Sequence, residues 1–413
     1  MIENYIPRSL EPVLARATRE FPAVVLIGPR QSGKTTLLQH KFGAELPLIS
    51  LEPPDVRAAA NRDPRGFLDL YPPPVVYDEI QYAPDLLPYI KERVDARREQ
   101  PGQFILTGSQ NLLLMQQITE SLAGRAAVLK LMPLTLREIA GEPGRPLPWE
   151  AGRTLAPRSS MSASDASPYS EVWGRILRGS YPELMVNPQR DFRLWQASYV
   201  QTYLERDVRN LRNIGDLTLF QTFLRSLAAR SAGLLNLSDL ARDVSVAVNT
   251  ARDWLAILEA SFQVFLLRPY YVNLGKRLVK APKVYFTDTG LLCYLVGLRD
   301  AEHAAAGPMG GALLENLVVA ELFKTSLHRG EEPALYFWRT AAGAEVDLVV
   351  ETQSGLIPIE IKAAATARPE MAREIIAFRR DFADRATNGY VIHPGHAALP
   401  LGGGVLAWPL AGL

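Results

Sequence analysis

A single cysteine, Cys293, occurs in the 413 residues. One thiol cannot form an intramolecular bridge, so a disulfide framework is excluded. Its apolar helical neighbourhood makes a buried structural thiol the expectation. Neither sign of charge dominates: 45 Lys and Arg stand against 44 Asp and Glu, a net charge of +1. That balance does not advertise a nucleic-acid or membrane-surface binder, although it leaves room for a local basic patch. No apolar run is long enough to span a bilayer. The start of the chain, Met1-Ile2-Glu3-Asn4-Tyr5, has neither a basic segment nor an apolar segment of the signal-peptide kind. The expectation is a cytoplasmic protein without a membrane partner. Its length exceeds one ordinary core, so about two to four domains are expected.

The strongest feature present is Ala23-Val24-Val25-Leu26-Ile27 followed by Gly28-Pro29-Arg30-Gln31-Ser32-Gly33-Lys34-Thr35-Thr36. Gly28 to Thr35 fits G-x-x-x-x-G-K-[ST], the P-loop pattern, with an apolar strand before it and a helical pattern after it. Phosphates need several backbone N–H groups pointing into one concavity, which glycines permit. The following helix adds its unpaired N-terminal N–H groups and the positive end of its dipole. Lys34 is expected on the β/γ-phosphates and the Thr35 hydroxyl on Mg²⁺. ATP and Mg²⁺ are the implied cofactors.

About 45 residues further on, Val75-Val76-Tyr77-Asp78-Glu79 reads as an apolar strand ending in two carboxylates. Such a strand is expected beside the P-loop strand, with Asp78 holding Mg²⁺ through water and Glu79 polarising the attacking water. Gln103 to Gln110 is another strand ending in small polar residues. AAA-type ATPases place a water-orienting group at this position, so Ser109 or Gln110 is a candidate, with an ordinary strand-end turn as the alternative. Asn111 to Leu122 reads as a helix. Arg125 follows Gly124 and is a candidate arginine finger in cis or in trans; a salt-bridged helix-end arginine is the alternative. Val128 to Leu131 looks like a further strand, and strands alternating with helices specify a parallel α/β sheet.

Residues 141–170 are rich in Pro, Gly, Ser and Ala and read as a flexible linker or insertion. Residues 171–214 read as a helical lid segment. Its Glu205, Arg206 and Asp207 suggest interdomain salt bridging or a nucleotide-sensing arginine. Within 215–300, three helices (219–229; 238–244, capped by Ser238; 248–258) precede two strands, Val264–Leu267 and Val284–Phe286. That is the order of a winged helix-turn-helix. A DNA-binding reading places Lys276, Arg277, Lys280 and Lys283 on phosphates; a lid or docking module is the alternative. Asp300 to Gly311 reads as a small-residue linker. The last domain, 308–413, opens with an amphipathic helix, Leu313–Leu322. A strand, Leu335–Trp338, and a hairpin, Glu345–Val350 with Leu356–Lys362, follow. Alternation puts Glu360 and Lys362 on one face, within reach of Asp347 across the hairpin and of Glu315 on the helix. Carboxylates so placed bind Mg²⁺, and a neighbouring lysine activates water for phosphodiester hydrolysis. A solvated face of alternating charge is the competing reading.

With these residues in view the chain resembles bacterial and archaeal AAA-type ATP-binding proteins that carry a C-terminal domain of unknown function. The matching stretches are Gly28–Thr35, Val75–Glu79, Leu106–Ser109, Ser121–Arg125, Gly179–Glu183, Tyr203–Asp207 and Tyr285–Leu291. They cover nearly the whole chain outside residues 141–170. The resemblance implies ATP binding. It also implies a C-terminal restriction-endonuclease-like α/β fold of the PD-(D/E)xK type, to whose acidic and lysine positions Glu315, Asp347, Glu360 and Lys362 correspond. The expected fold class is therefore α/β: a P-loop AAA-type ATPase core over 1–140, a winged-helix domain, and a nuclease-like domain. The expected function is a Mg-dependent ATPase that couples nucleotide state to the later domains. The alternatives are an ATP-gated DNA nuclease and a nucleotide-dependent binding switch with little turnover. DNA, an unidentified protein and a second copy of the chain are the candidate partners.

Overall fold

A computed structural model of the chain describes residues 5–109, 121–150, 168–203, 216–270 and 280–413. The expected lid residues Glu205, Arg206 and Asp207, the loop residues Lys276 and Arg277, Gln110, and the 111–120 part of the expected Asn111–Leu122 helix lie outside them. Two sheets organise the rest. The first has five parallel strands: β1 (Ala23–Ile27), β2 (Leu48–Ser50), β3 (Val75–Asp78), β4 (Phe104–Gly108) and β5 (Ala126–Lys130), in the order β2-β3-β4-β1-β5. β1, β3 and β4 are buried along their whole length, as the central strands of a parallel sheet covered on both faces must be. The order corrects one expectation. β3 does not lie beside β1; β4 is inserted between them. That insertion carries the polar end of β4 into the gap between the phosphate loop and the Asp78–Glu79 pair.

The second sheet is mixed and has eight strands. They are β6 (Val264–Pro269), β7 (Lys283–Phe286), β8 (Leu335–Arg339), β9 (Glu345–Thr352), β10 (Gly355–Ile361), β11 (Gly389–His393), β12 (Leu399–Gly402) and β13 (Val405–Pro409). Their order is β12-β13-β11-β10-β9-β8-β6-β7. The antiparallel β6–β7 and β9–β10 pairs stand where the sequence places them. The β6–β7 pair is not a free wing, however: β6 also runs parallel to β8, so the pair forms one edge of the C-terminal sheet. The three helices before it are Leu217–Ala228, Leu237–Asp243 and Val248–Ala260. The middle one is capped by Asn236, whose side chain accepts from Ser238 N and Asp239 N, rather than by Ser238. An Asn at the N-cap bonds the first free N–H groups of the helix.

Two further expectations change. The stretch from Asp300 is helical (Ala301–Ala306), with Asp300 accepting from His303 N, so it is not an irregular linker. The helix read as amphipathic extends over Gly310–His328 and is buried on nearly every side. It packs against β5 of the first sheet and against β7 and β10 of the second. Its polar residues are docking points. Asn316 Oδ1 accepts from Phe286 N at 2.8 Å, Glu321 accepts from Leu136 N at 2.9 Å, and Lys324 Nζ donates to Leu134 O at 2.7 Å. Polar groups buried with such partners avoid the desolvation loss of unpaired ones, and the helix is the spine that joins the two sheets.

Candidate functional site

The carboxyl ends of β1, β3 and β4 meet at one edge of the parallel sheet, where open α/β sheets bind ligands. Gly28 leaves β1 pressed against the strand exit of β5; a Cβ at Gly28 would lie 2.0 Å from Leu131 O. Gly33 has φ +94°, a left-handed conformation natural to glycine, and the Lys34–Phe42 helix begins directly after it. Lys34 is buried, and its Nζ donates to Gly28 O and Pro29 O at 3.0 Å each, curled over the loop it would serve.

Thr35 Oγ1 donates to Asp78 Oδ2 at 2.9 Å. Thr107 on β4 donates to the other Asp78 oxygen, and its Oγ1 accepts from Glu79 N at 3.1 Å. Burial raises the Asp78 pKa from the ordinary carboxylate value; the hydrogen bonds from Thr107 and Thr35 oppose this. Glu79 has φ +59°, a left-handed backbone that a glutamate adopts only under constraint. Its Oε2 accepts from Ser109 Oγ at 3.1 Å and from Gln81 Nε2. Gln81 Nε2 also lies 3.4 Å from Ser109 Oγ, and its Oε1 has no hydrogen-bond partner. The structure thus brings Lys34, Thr35, Asp78, Glu79 and Ser109 together. Thr107 and Gln81 join them without having been singled out from the sequence. Their signal was only that Thr107 alternates with the polar end of β4 and that Gln81 follows the acidic pair by two residues. The hydroxyl of Thr35 and the carboxylate of Asp78 are hard oxygen donors facing one another, which fits Mg²⁺.

Arg125 is not part of this group. It directly precedes β5, whose first residue, Ala126, is in register with Ala23 at the start of β1. Arg125 O accepts from Ala23 N at 3.4 Å, and its guanidinium binds Asp95 at 2.5 and 3.1 Å. The phosphate loop leaves the other end of β1, about 15 Å away at the rise of a strand. A role for Arg125 on the phosphates of its own chain is therefore corrected: its place in the parallel sheet puts it at the wrong edge.

The second group of candidate residues lies where β9 and β10 part. Their ladder ends at Ile359 opposite Leu348, and Asp347 Oδ2 then accepts from Ile361 N at 2.8 Å in place of a backbone partner. Lys362 Nζ lies 2.5 Å from Glu360 Oε1, while Glu360 Oε2 is buried without a hydrogen bond. Glu315 accepts from Lys283 Nζ at 2.9 Å and Tyr285 OH at 2.6 Å, and Lys283 also pairs with Glu345 at 2.6 Å. Burial, reinforced by Asp347, pushes Glu360 up to about 8 and Glu315 up to about 7. Asp347 is raised as well, by burial, although Lys283 opposes the shift. For Lys362 burial acts downward, but Glu360 and Asp347 leave its pKa raised. Among the described residues no group of three or more His, Cys, Asp or Glu is spaced to hold a metal ion. Lys283, Tyr285, Lys362 and a backbone N–H engage these carboxylates. Lys283, expected on DNA phosphates, is itself buried in this network.

Two further motif stretches meet away from this site. Ser180 N and Oγ donate to Asp288 Oδ2 at 2.7 and 3.0 Å, so Gly179–Glu183 and Tyr285–Leu291 lock against each other. Cys293 is buried, as expected, and burial drives its thiol pKa up to about 12.

Residues 20–140 match the AAA domain, 310–413 match a domain of unknown function (DUF4143), and 170–302 match a second domain of unknown function. Uncharacterized proteins of Mycobacterium tuberculosis and Mycobacterium bovis are each 32% identical over 399 residues, covering 96% of this chain and 82% of theirs. Among solved structures, a Walker-type ATPase of Pyrococcus abyssi aligns with a TM-score of 0.44 at 16% identity, over 71% of this chain and 97% of that one. The described residues contain no helix long and apolar enough to cross a membrane. The chain belongs to the family that these mycobacterial proteins represent, and in it a P-loop domain of AAA type precedes the C-terminal domain of unknown function.

Proposed function

We propose that the protein is a Mg-dependent ATPase. The observation that carries the reading is the 2.9 Å bond between Thr35 and Asp78, with Glu79 held by Ser109 on the adjoining strand. In this reading the backbone N–H groups of Gly28–Thr36, including those of Pro29's neighbours Arg30, Gln31 and Ser32, surround the phosphates. Lys34 leaves the Gly28 and Pro29 carbonyls to meet the β- and γ-phosphate oxygens. Thr35 and Asp78 hold Mg²⁺, which when bound neutralises charge on the phosphate oxygens. Glu79 orients the attacking water and accepts its proton, and Ser109 and Gln81 set the direction of that carboxylate. ATP turnover in wild type, Lys34→Ala and Glu79→Gln tests this. Each variant should lose about 10²-fold or more; turnover that persists in Lys34→Ala would sink the proposal.

A second reading attaches DNA to the C-terminal sheet. It is favoured by the unpartnered buried Oε2 of Glu360 and by a groove lined by Arg268, Lys280, Arg385, Tyr270, Tyr336 and Glu351. Cationic side chains between aromatic rings suit a nucleic-acid strand. The Lys280–Lys283 segment links this groove to Glu315 through the Lys283 ion pair. Plasmid nicking with Mg²⁺ or Mn²⁺, compared between wild type and Asp347→Ala, decides it: equal activity, or none in either protein, removes the nuclease.

A further inference from the structure

Arg8 precedes the first helix, Glu11–Glu20, and carries none of the sequence motifs, yet its side chain is 3% exposed. One terminal nitrogen donates to Ser32 O at 2.8 Å and the other to Met132 O at 2.6 Å. The guanidinium therefore lies directly behind the phosphate loop, 3.4 Å from where a Cβ on Gly33 would sit. A trans peptide is planar, with its C=O and N–H pointing opposite ways. Tying down the Ser32 carbonyl from behind consequently aims the Gly33 N–H forward, into the concavity.

The same guanidinium is anchored in a charged knot that reaches the C-terminal end of the spine helix. Arg8 Nε is 3.2 Å from Glu138 Oε2, and Glu138 is completely buried. Glu138 also accepts from Ser9 N at 2.7 Å and Thr135 N at 2.9 Å, and lies 3.0 Å from His328 Nδ1. The Arg8 Nε–Glu138 pair is a charge contact without hydrogen-bond alignment, and His328 Nδ1 is likewise not aligned for a hydrogen bond. His328 Nε2 accepts from Met132 N at 3.0 Å, which closes the ring through the segment that Arg8 also holds. His328 is the last residue of the spine helix Gly310–His328, which bears Glu315 nearer its start.

We propose that Arg8 is a positioning residue for the triphosphate, and that phosphate occupancy is transmitted through Arg8 and Glu138 to the C-terminal end of the spine helix. The proposal rests on the nucleotide-binding reading above. A shift of the loop on binding moves the Ser32 carbonyl, and Arg8 cannot follow it without changing its contacts to Met132 and Glu138. Interiors are close-packed and transmit such displacements rather than absorb them.

The test uses the full chain and a fluorescent, non-hydrolysable ATP analogue with Mg²⁺. Arg8→Lys keeps the charge opposite Glu138, but one ammonium cannot reproduce the planar fork to two carbonyls. It should weaken the nucleotide Kd about tenfold, the effect of losing one charged hydrogen bond. Amide hydrogen exchange supplies the readout that a purely stabilising role would not move. In wild type, nucleotide should slow exchange in residues 320–328; in Arg8→Lys that nucleotide-dependent difference should vanish at saturating ligand. If Arg8→Lys does not fold, Glu138→Gln carries the exchange measurement, with the same loss expected. A wild-type Kd in Arg8→Lys, or a nucleotide-dependent difference preserved in the variants, overturns the proposal. Wild-type protein that binds no nucleotide instead removes the reading on which it rests.

Discussion

Two buried clusters of charge serve opposite ends of the spine helix, and the pKa values of their carboxylates are shifted in opposite directions. At the His328 end, Glu138 is completely buried, yet its pKa is lowered: burial acts upward, but Arg8, His328 and the Thr135 N–H override it. At the Glu315 end, burial drives Glu315 and Glu360 up to about 7 and 8, and Asp347 adds a like charge that Lys283 and Lys362 do not fully offset. The difference teaches what each cluster is built for. A carboxylate surrounded by enough donors is a fixed anion and a structural clamp. Carboxylates in excess of their cations hold protons near neutrality, the condition in which a group is available to exchange them.

Glu138→Ala is the largest predicted break. It leaves Arg8 buried without its anion, and chemical denaturation should show a loss of about 3–5 kcal/mol. By contrast, Glu360→Gln should stabilise the protein above pH 8 by about 1 kcal/mol, because a neutral side chain no longer has to ionise in a buried site. If both substitutions destabilise equally, the contrast between the clusters is wrong.

The pH dependence sharpens the same comparison. Glu138 is depressed in the folded state, so its contribution is present above its unfolded value, about 4.3, and is lost only as pH falls through the folded value. Glu315 and Glu360 are raised, so their contribution is present below about 4.3 and is lost as pH climbs to about 8. Denaturation midpoints of wild type should decline between pH 6 and pH 8.5, and Glu360→Gln should flatten that decline. Gly28→Ala probes the loop that Arg8 supports. The added methyl group meets Leu131 O, and a loss of about 1–3 kcal/mol is expected together with weaker nucleotide binding. The smallest effect belongs to Arg125→Ala. Its partner Asp95 is exposed and the pair lies at the far edge of the sheet, so thermal stability and turnover should both stay close to wild type.

The nucleotide site was legible because its chemistry is local. Gly28, Gly33, Lys34 and Thr35 lie within one turn of chain, and Asp78–Glu79 is itself a strand end. The spine helix was legible as a helix but not as a buried one, since Glu315, Asn316, Glu321 and Lys324 imitate a solvated face until their partners from other segments are known. Arg8 gave no signal at all, because its contacts at Met132 and Glu138 are separated from it by more than a hundred residues of chain.

By itself, then, the sequence determined the phosphate loop, the acidic strand end after it and the β9–β10 hairpin, all of which follow from short-range backbone preference and side-chain alternation. Tertiary structure alone decided that β4 separates β1 from β3, that Arg125 stands at the wrong edge, that β6 and β7 extend the C-terminal sheet, and that Arg8 backs the loop. Each of these depends on which distant strands pair and which charges share a buried volume, and neither is encoded in the spacing of residues along the chain.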